Sequence, residues 1–272
     1  MKTLKRYTNE GWSILVPIFT MLLCLGVMSR QPLPRGDASS TSLKAVALTR
    51  LPAIVLWAWE RPERLDFIDP QKVAVAFLGK TISLRRDGVT VRPRLQPLTV
   101  PAGTKMIAVV RIESDRSQLA ALSDADLSIV VGESSEMACL PNVVAVQVDF
   151  DATRSEREFY RKAIFRLREK LPPSMPLSIT ALASWCWGDD WLSALPIDEA
   201  VPMLFRMGID RRQILSQLES GATFNSIPCR ASAGVSVDEP LSPELLSDRL
   251  YIFSPKAWSG DSFKAAMEIY HR

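Results

Sequence analysis

Any chemistry in this chain has to be done by carboxylates. Its single histidine is His271, the second-last of 272 residues, so Ser-His-Asp, Cys-His and histidine-rich zinc systems lack their imidazole. Two acids at suitable separation hydrolyse a glycosidic bond with no metal or cofactor, one protonating the leaving oxygen and the other acting as nucleophile or base. The catalytic candidates are Asp149, Asp151, Glu113 and Asp238. Asp149 and Asp151 are two positions apart, so on a strand they share a face and act together or shift each other's pKa by like-charge repulsion. Glu113 and Asp238 are the candidates for the opposite role. Glu60, Asp189, Asp190 and Glu239 lie in nearby loops, where acids are abundant and mostly solvated.

Aromatic faces stand beside these acids. Trp57, Trp59, Trp185, Trp187, Trp191 and Trp258 fall at or just after the ends of apolar runs, where large rings suit the C–H faces of sugars or simply cover a core. With Glu60, Arg111 and Gln147, four of them, Trp57, Trp59, Trp185 and Trp191, form the expected substrate-binding set. The alternative for the charged residues is an ion-pair lock, with Arg111 bridging Asp149 or Glu113, because buried charges must be paired whatever their role.

Eight near-continuous apolar runs have to place these groups: residues 53–59, 72–78, 106–113, 143–149, 176–182, 199–205, 232–238 and 250–255. Such runs fit strands buried on both faces. Helical stretches at 116–123, 153–171, 209–220, 242–247 and 259–271 follow several of them, and alternating strand and helix predicts an α/β fold, a (β/α)8 TIM-like barrel. Asp87-Gly88, between two alternating stretches, predicts a hairpin inserted between strands 2 and 3. Within each strand the polar residues keep one parity: Arg111 with Glu113, Gln147 with Asp149 and Asp151, Ser178 with Thr180, Ser236 with Asp238. Each set lies toward the carboxyl end of its strand, the end at which barrels build active sites.

The net charge of +3 sits in the first 30 residues, where Lys2, Lys5, Arg6 and Arg30 face only Glu10, so the rest is balanced and no nucleic-acid partner is expected. Basic residues followed by the uncharged stretch 12–28 form an export signal, so an N-terminal hydrophobic helix is expected to precede the barrel. Residues 1–29 are therefore expected to be a signal anchor or signal peptide, 30–48 a tether and 49–272 the barrel domain, periplasmic and either held at the inner membrane or released after cleavage. Outside the cytoplasm, Cys139, Cys186 and Cys229 supply one disulfide and one spare thiol. Cys186 with Cys229 is the preferred pair, since both lie in polar, turn-rich segments. No metal or cofactor site is expected.

The segments WAWERPE (57–63), VDFDAT (148–153), LASWCWGDDWL (182–192) and GVSVDEP (234–240) resemble a bacterial exported domain-of-unknown-function family, over roughly residues 50–260. That resemblance implies a glycosidase-like TIM barrel. The chain is also distantly similar to the chitinase-like glycosidases, whose fourth strand ends in D-x-x-D-x-D-x-E with the Glu as proton donor. In one register Asp149 and Asp151 take the second and third Asp, leaving Val146 at the first and Thr153 at the Glu. Shifted by two, Asp151 takes the Glu and Asp149 the last Asp, with Gln147 and Val144 at the others.

Three functions compete: an exported carbohydrate-active barrel that hydrolyses glycosides with paired carboxylates, a non-catalytic saccharide-binding or envelope-assembly module on the same barrel, and a carboxylate-based hydrolase of peptides or esters. The expected partners are a poly- or oligosaccharide and, through the N-terminal segment, the inner membrane.

Overall fold

The computed structural model describes residues 48, 51–115, 122–188 and 190–270. The apolar segment 12–28, nearly all of the tether, Asp189 and His271 lie outside them. Eleven strands are described: β1 (Ile54–Ala58), β2 (Glu63–Arg64), β3 (Val73–Arg85), β4 (Gly88–Pro93), β5 (Leu98–Thr99), β6 (Met106–Ser114), β7 (Val143–Asp149), β8 (Leu177–Leu182), β9 (Glu199–Met203), β10 (Ser232–Ser236) and β11 (Arg249–Phe253). The helices are α1 (Asp124–Glu136), α2 (Arg157–Lys170), α3 (Trp185–Gly188), α4 (Arg211–Glu219) and α5 (Gly260–Tyr270).

β1, β3, β6, β7, β8, β9, β10 and β11 pair in parallel, and β1 closes the ring by pairing with both β3 and β11. This is the expected (β/α)8 TIM-like barrel. The inserted hairpin is also present: β3 runs on past the barrel and β4 folds back antiparallel along it. Its turn needs Gly88, whose φ of 136° excludes side chains. β2 and β5 form a separate small ribbon beside it.

Parity along each strand sorts the core into two layers. Side chains such as Leu56, Val75, Ala108, Val146, Val148 and Ile179 point out, under the helices. Val55, Trp57, Ala76, Ile107, Val109, Ala145, Val201 and Tyr251 point in and fill the barrel. In α2 the buried residues Phe159, Tyr160, Ala163, Ile164 and Leu167 recur at helical spacing and face the outer layer, while Arg161 and Arg166 stay in water.

Of the helix expected at 116–123, only the last two residues are described, and they are not helical. Leu122 and Ser123 precede α1, which begins at Asp124, and 116–121 lie outside the described residues. Its start is fixed locally by a capping box, in which the Asp126 N–H donates to Ser123 Oγ at 3.2 Å and the Ser123 N–H to Asp126 Oδ2 at 2.8 Å. Such a pair is worth about 1 kcal/mol. The small, weakly patterned sequence DADLSIVVGESSE (124–136) hides that helix from periodicity. The Cys186–Cys229 disulfide ties α3 to the turn before β10, and Cys139 is a free, exposed thiol.

The interior below the barrel mouth carries a buried polar network centred on Glu199. Glu199, fully buried at the start of β9, accepts from Arg249 Nη1 at 2.7 Å, Tyr251 Oη at 2.7 Å and Ser178 Oγ at 3.0 Å. Ser178 accepts from Gln147 Nε2 at 3.1 Å, and Gln147 Oε1 accepts from Trp57 Nε1 at 3.0 Å. One chain of hydrogen bonds therefore runs from the barrel floor to the indole beneath the mouth, and it locks the Trp57 rotamer. Burial and the Glu199 charge push the Tyr251 phenol well up, so it stays a donor. Gly234 makes room for this indole: a Cβ there would lie 2.9 Å from Trp57 Cη2.

Candidate functional site

The inward parity that fills the barrel with Trp57, Val109 and Gln147 continues past the last paired residues and lines a cleft of about 280 Å³ at the carboxyl ends of the strands. Trp59 follows β1, Arg111 lies on β6, Asp149 ends β7 with Asp151 two residues beyond, Thr180 lies on β8, Phe205 follows β9, and Phe253 ends β11. Phe205 and Phe253 stack with ring planes 5° apart, Trp59 meets Phe253 edge-on, and Trp57 lies 6.3 Å from Phe205. The result is a continuous aromatic wall facing two carboxylates.

Asp149 is the buried acid of the pair, its side chain 14% exposed. Its Oδ1 accepts from Thr180 Oγ1 at 2.6 Å. Loss of hydration by burial pushes its pKa up from 3.8 to about 6; the Thr180 hydrogen bond and Arg111 oppose that rise, while the charges of Asp151 and Glu113 add to it. Asp151 is exposed at the mouth. The cleft thus holds an acid that keeps its proton to near-neutral pH beside a solvated one.

Arg111 is held on three sides. Its Nε lies 3.0 Å from Glu113 Oε1 and 4.0 Å from Asp149 Oδ2, and its guanidinium sits over Trp59 at 5.6 Å. The firm ion pair is with Glu113, and Asp149 is approached only at long range, so the cleft stays open. Glu113 faces a second, polar recess of about 300 Å³, whose wall shares Arg111, Asp149 and Asp151 with the aromatic cleft.

The other expected site residues stand elsewhere. Gln147 is buried below the cleft and acts on it only through Trp57. Trp185 and Trp191 pack edge to face at 4.9 Å, with the Arg157 guanidinium over both rings, and do not line the cleft. Glu60 pairs with Arg92 of the hairpin at 2.6 Å. Asp238 accepts the Ser236 hydroxyl and lies 3.8 Å from Arg206 Nη2, outside the cleft wall. Of the other aromatic candidates, Trp187 packs on Phe224, and the buried Trp258 donates its indole N–H to the Trp57 carbonyl. The structure adds Phe205, Phe253 and Arg206 to the cleft. The two phenylalanines carried a legible signal, since they extend the inward parity of Val201 and Tyr251.

The cleft sets four aromatic rings, Trp57, Trp59, Phe205 and Phe253, against charged and hydroxyl side chains, and its two acids can support general acid chemistry. No protein-family model and no curated protein sequence matches the chain. Among solved structures it is similar to the "Crystal structure of putative Chitinase A from Streptomyces coelicolor", with a TM-score of 0.50 and 13% identity, over 80% of this chain and 96% of that one. At that identity the likeness is one of fold, the (β/α)8 barrel.

Proposed function

We propose that the protein is an exported carbohydrate-active barrel that hydrolyses a glycosidic bond, with Asp149 as proton donor and Asp151 as its partner carboxylate. The carrying observation is the raised pKa of Asp149 in an open, aromatic-walled cleft. An acid of pKa about 6 is mostly protonated below that pH and still gives up its proton readily in a transition state. With Oδ1 engaged by Thr180, the proton sits on Oδ2, which faces Arg111 at 4.0 Å. Trp59, Phe205 and Phe253 supply the surface for a sugar ring. The likeness to a chain described as a chitinase puts chitooligosaccharides among the saccharides to be tested. Export, by the basic residues and the apolar stretch 12–28, places the barrel in the periplasm, tethered to the inner membrane or released.

The non-catalytic alternative has one observation in its favour. In the register that puts Thr153 at the family's acid position, the nearest following acid is Glu156, and its Oε2 is occupied by the Thr153 amide and hydroxyl, both at 2.7 Å. Incubation with a panel of oligo- and polysaccharides separates the two. Hydrolysis by the wild type, lost in Asp149→Asn and falling tenfold per pH unit above about 6, supports the enzyme. Binding without turnover by the wild type supports the module and overturns the enzyme.

A further inference from the structure

Arg206 follows β9 and reaches the cleft mouth from a backbone with φ of 52°, a left-handed conformation that an arginine adopts only when its surroundings impose it. What imposes it is visible. The Arg206 N–H donates to Glu239 Oε2 at 3.1 Å, and the same oxygen is fixed by Arg211 Nη1 at 2.9 Å. The side chain then lies over the Phe253 ring, guanidinium carbon 5.3 Å from its centre, against the wall built by Phe253 and Phe205.

That placement leaves the fork of the guanidinium uncommitted. Its nearest carboxylate among the described residues is Asp238 at 3.8 Å, too far for a hydrogen bond, and Ser236 holds that acid from the other side. The Arg206 side chain is 56% exposed. Arg111, the other arginine of the cleft, is taken by Glu113. Asp151 and Asp210 also face the cleft, so it carries no general positive field. What it offers is one preoriented guanidinium beside an aromatic face, the arrangement that pairs with a carboxylate on a ring stacked there.

Building on the saccharide reading above, we infer that the substrate is an acidic saccharide, one bearing carboxylates of the uronic acid type, and that Arg206 is the specificity residue that recognises the charge. Neutral sugars can stack on the same wall but leave the guanidinium without its partner.

The test is a binding titration of the whole protein with uronate oligosaccharides, each paired with its methyl ester, and with neutral chitooligosaccharides. At least one acidic oligomer is expected to bind about ten- to a hundredfold tighter than its ester, with the preference weakening as salt rises. Arg206→Gln, which keeps the side-chain stem and the Glu239 latch, is expected to bring that ratio near one, and Arg206→Lys to retain part of it. Thermal unfolding of both variants checks that the barrel is intact. Equal or tighter binding of the neutral oligomers overturns this inference and leaves the saccharide reading standing. So does an acid preference that Arg206→Gln leaves untouched. Failure of every oligosaccharide to bind overturns both.

Discussion

Replacing Asp149 with asparagine removes one ionisation and keeps the shape of the side chain, including an oxygen to accept the Thr180 hydroxyl now bonded at 2.6 Å. In the folded protein the carboxyl holds its proton up to about pH 6, against 3.8 for an unperturbed aspartate. The folded state therefore binds more protons than the unfolded chain between those values, and stability must fall as pH rises through that window. The difference of about two pKa units corresponds to roughly 3 kcal/mol, present as a cost once Asp149 is ionised in the fold and absent below pH 3.8. Asparagine carries no such cost. Its melting temperature should stay close to the wild type's at pH 4 and exceed it at pH 7, by roughly 6 to 12 °C for a domain of this size. Thermal unfolding followed by circular dichroism at constant ionic strength, from pH 4 to 7.5, measures the gap. A gap that stays constant across the window would refute the burial argument. A variant that grows less stable relative to wild type as pH rises would show instead that Asp149 is held as an anion by Arg111.

Two further perturbations test the scaffold under the cleft. Gly234→Ala places a methyl group 2.9 Å from the Trp57 ring, and should cost about 1 to 3 kcal/mol in denaturant unfolding and weaken any ligand that stacks on the wall above. Removing the Cys186–Cys229 bond by a double serine substitution opens a loop with a sequence separation of 43, and should lower stability by up to about 4 kcal/mol, read as a drop in melting temperature that reducing agent reproduces in the wild type.

The barrel was legible because its strands are buried on both faces, and buried parallel strands announce themselves as apolar runs without help from partners. The parity of Arg111, Glu113, Gln147 and Asp149 was legible for the same reason, since a strand has only two faces. What the parity could not give was depth: Gln147 and Asp149 share a face, yet one is sealed under Trp57 and the other opens on the cleft, because barrel layers depend on strand stagger. Trp185 and Trp191 lie beyond β8, in a short helix and a following turn where side-chain direction has no period to follow, and they turn away to meet Arg157. Arg206 was invisible for a deeper reason. Its position depends on a left-handed backbone and on Glu239, 33 residues away, neither of which leaves a mark in local sequence.

The central claim is that Asp149 donates the proton to a glycosidic leaving group, and leaving groups that need no proton test it most directly. Wild type and Asp149→Asn should be compared on a natural oligosaccharide and on an aryl glycoside of the same sugar carrying a dinitrophenolate. The account predicts that the variant loses at least a hundredfold in kcat/KM on the first and keeps most of its activity on the second. Equal loss on both would contradict it, because a group that matters regardless of the leaving oxygen is not the acid that protonates it.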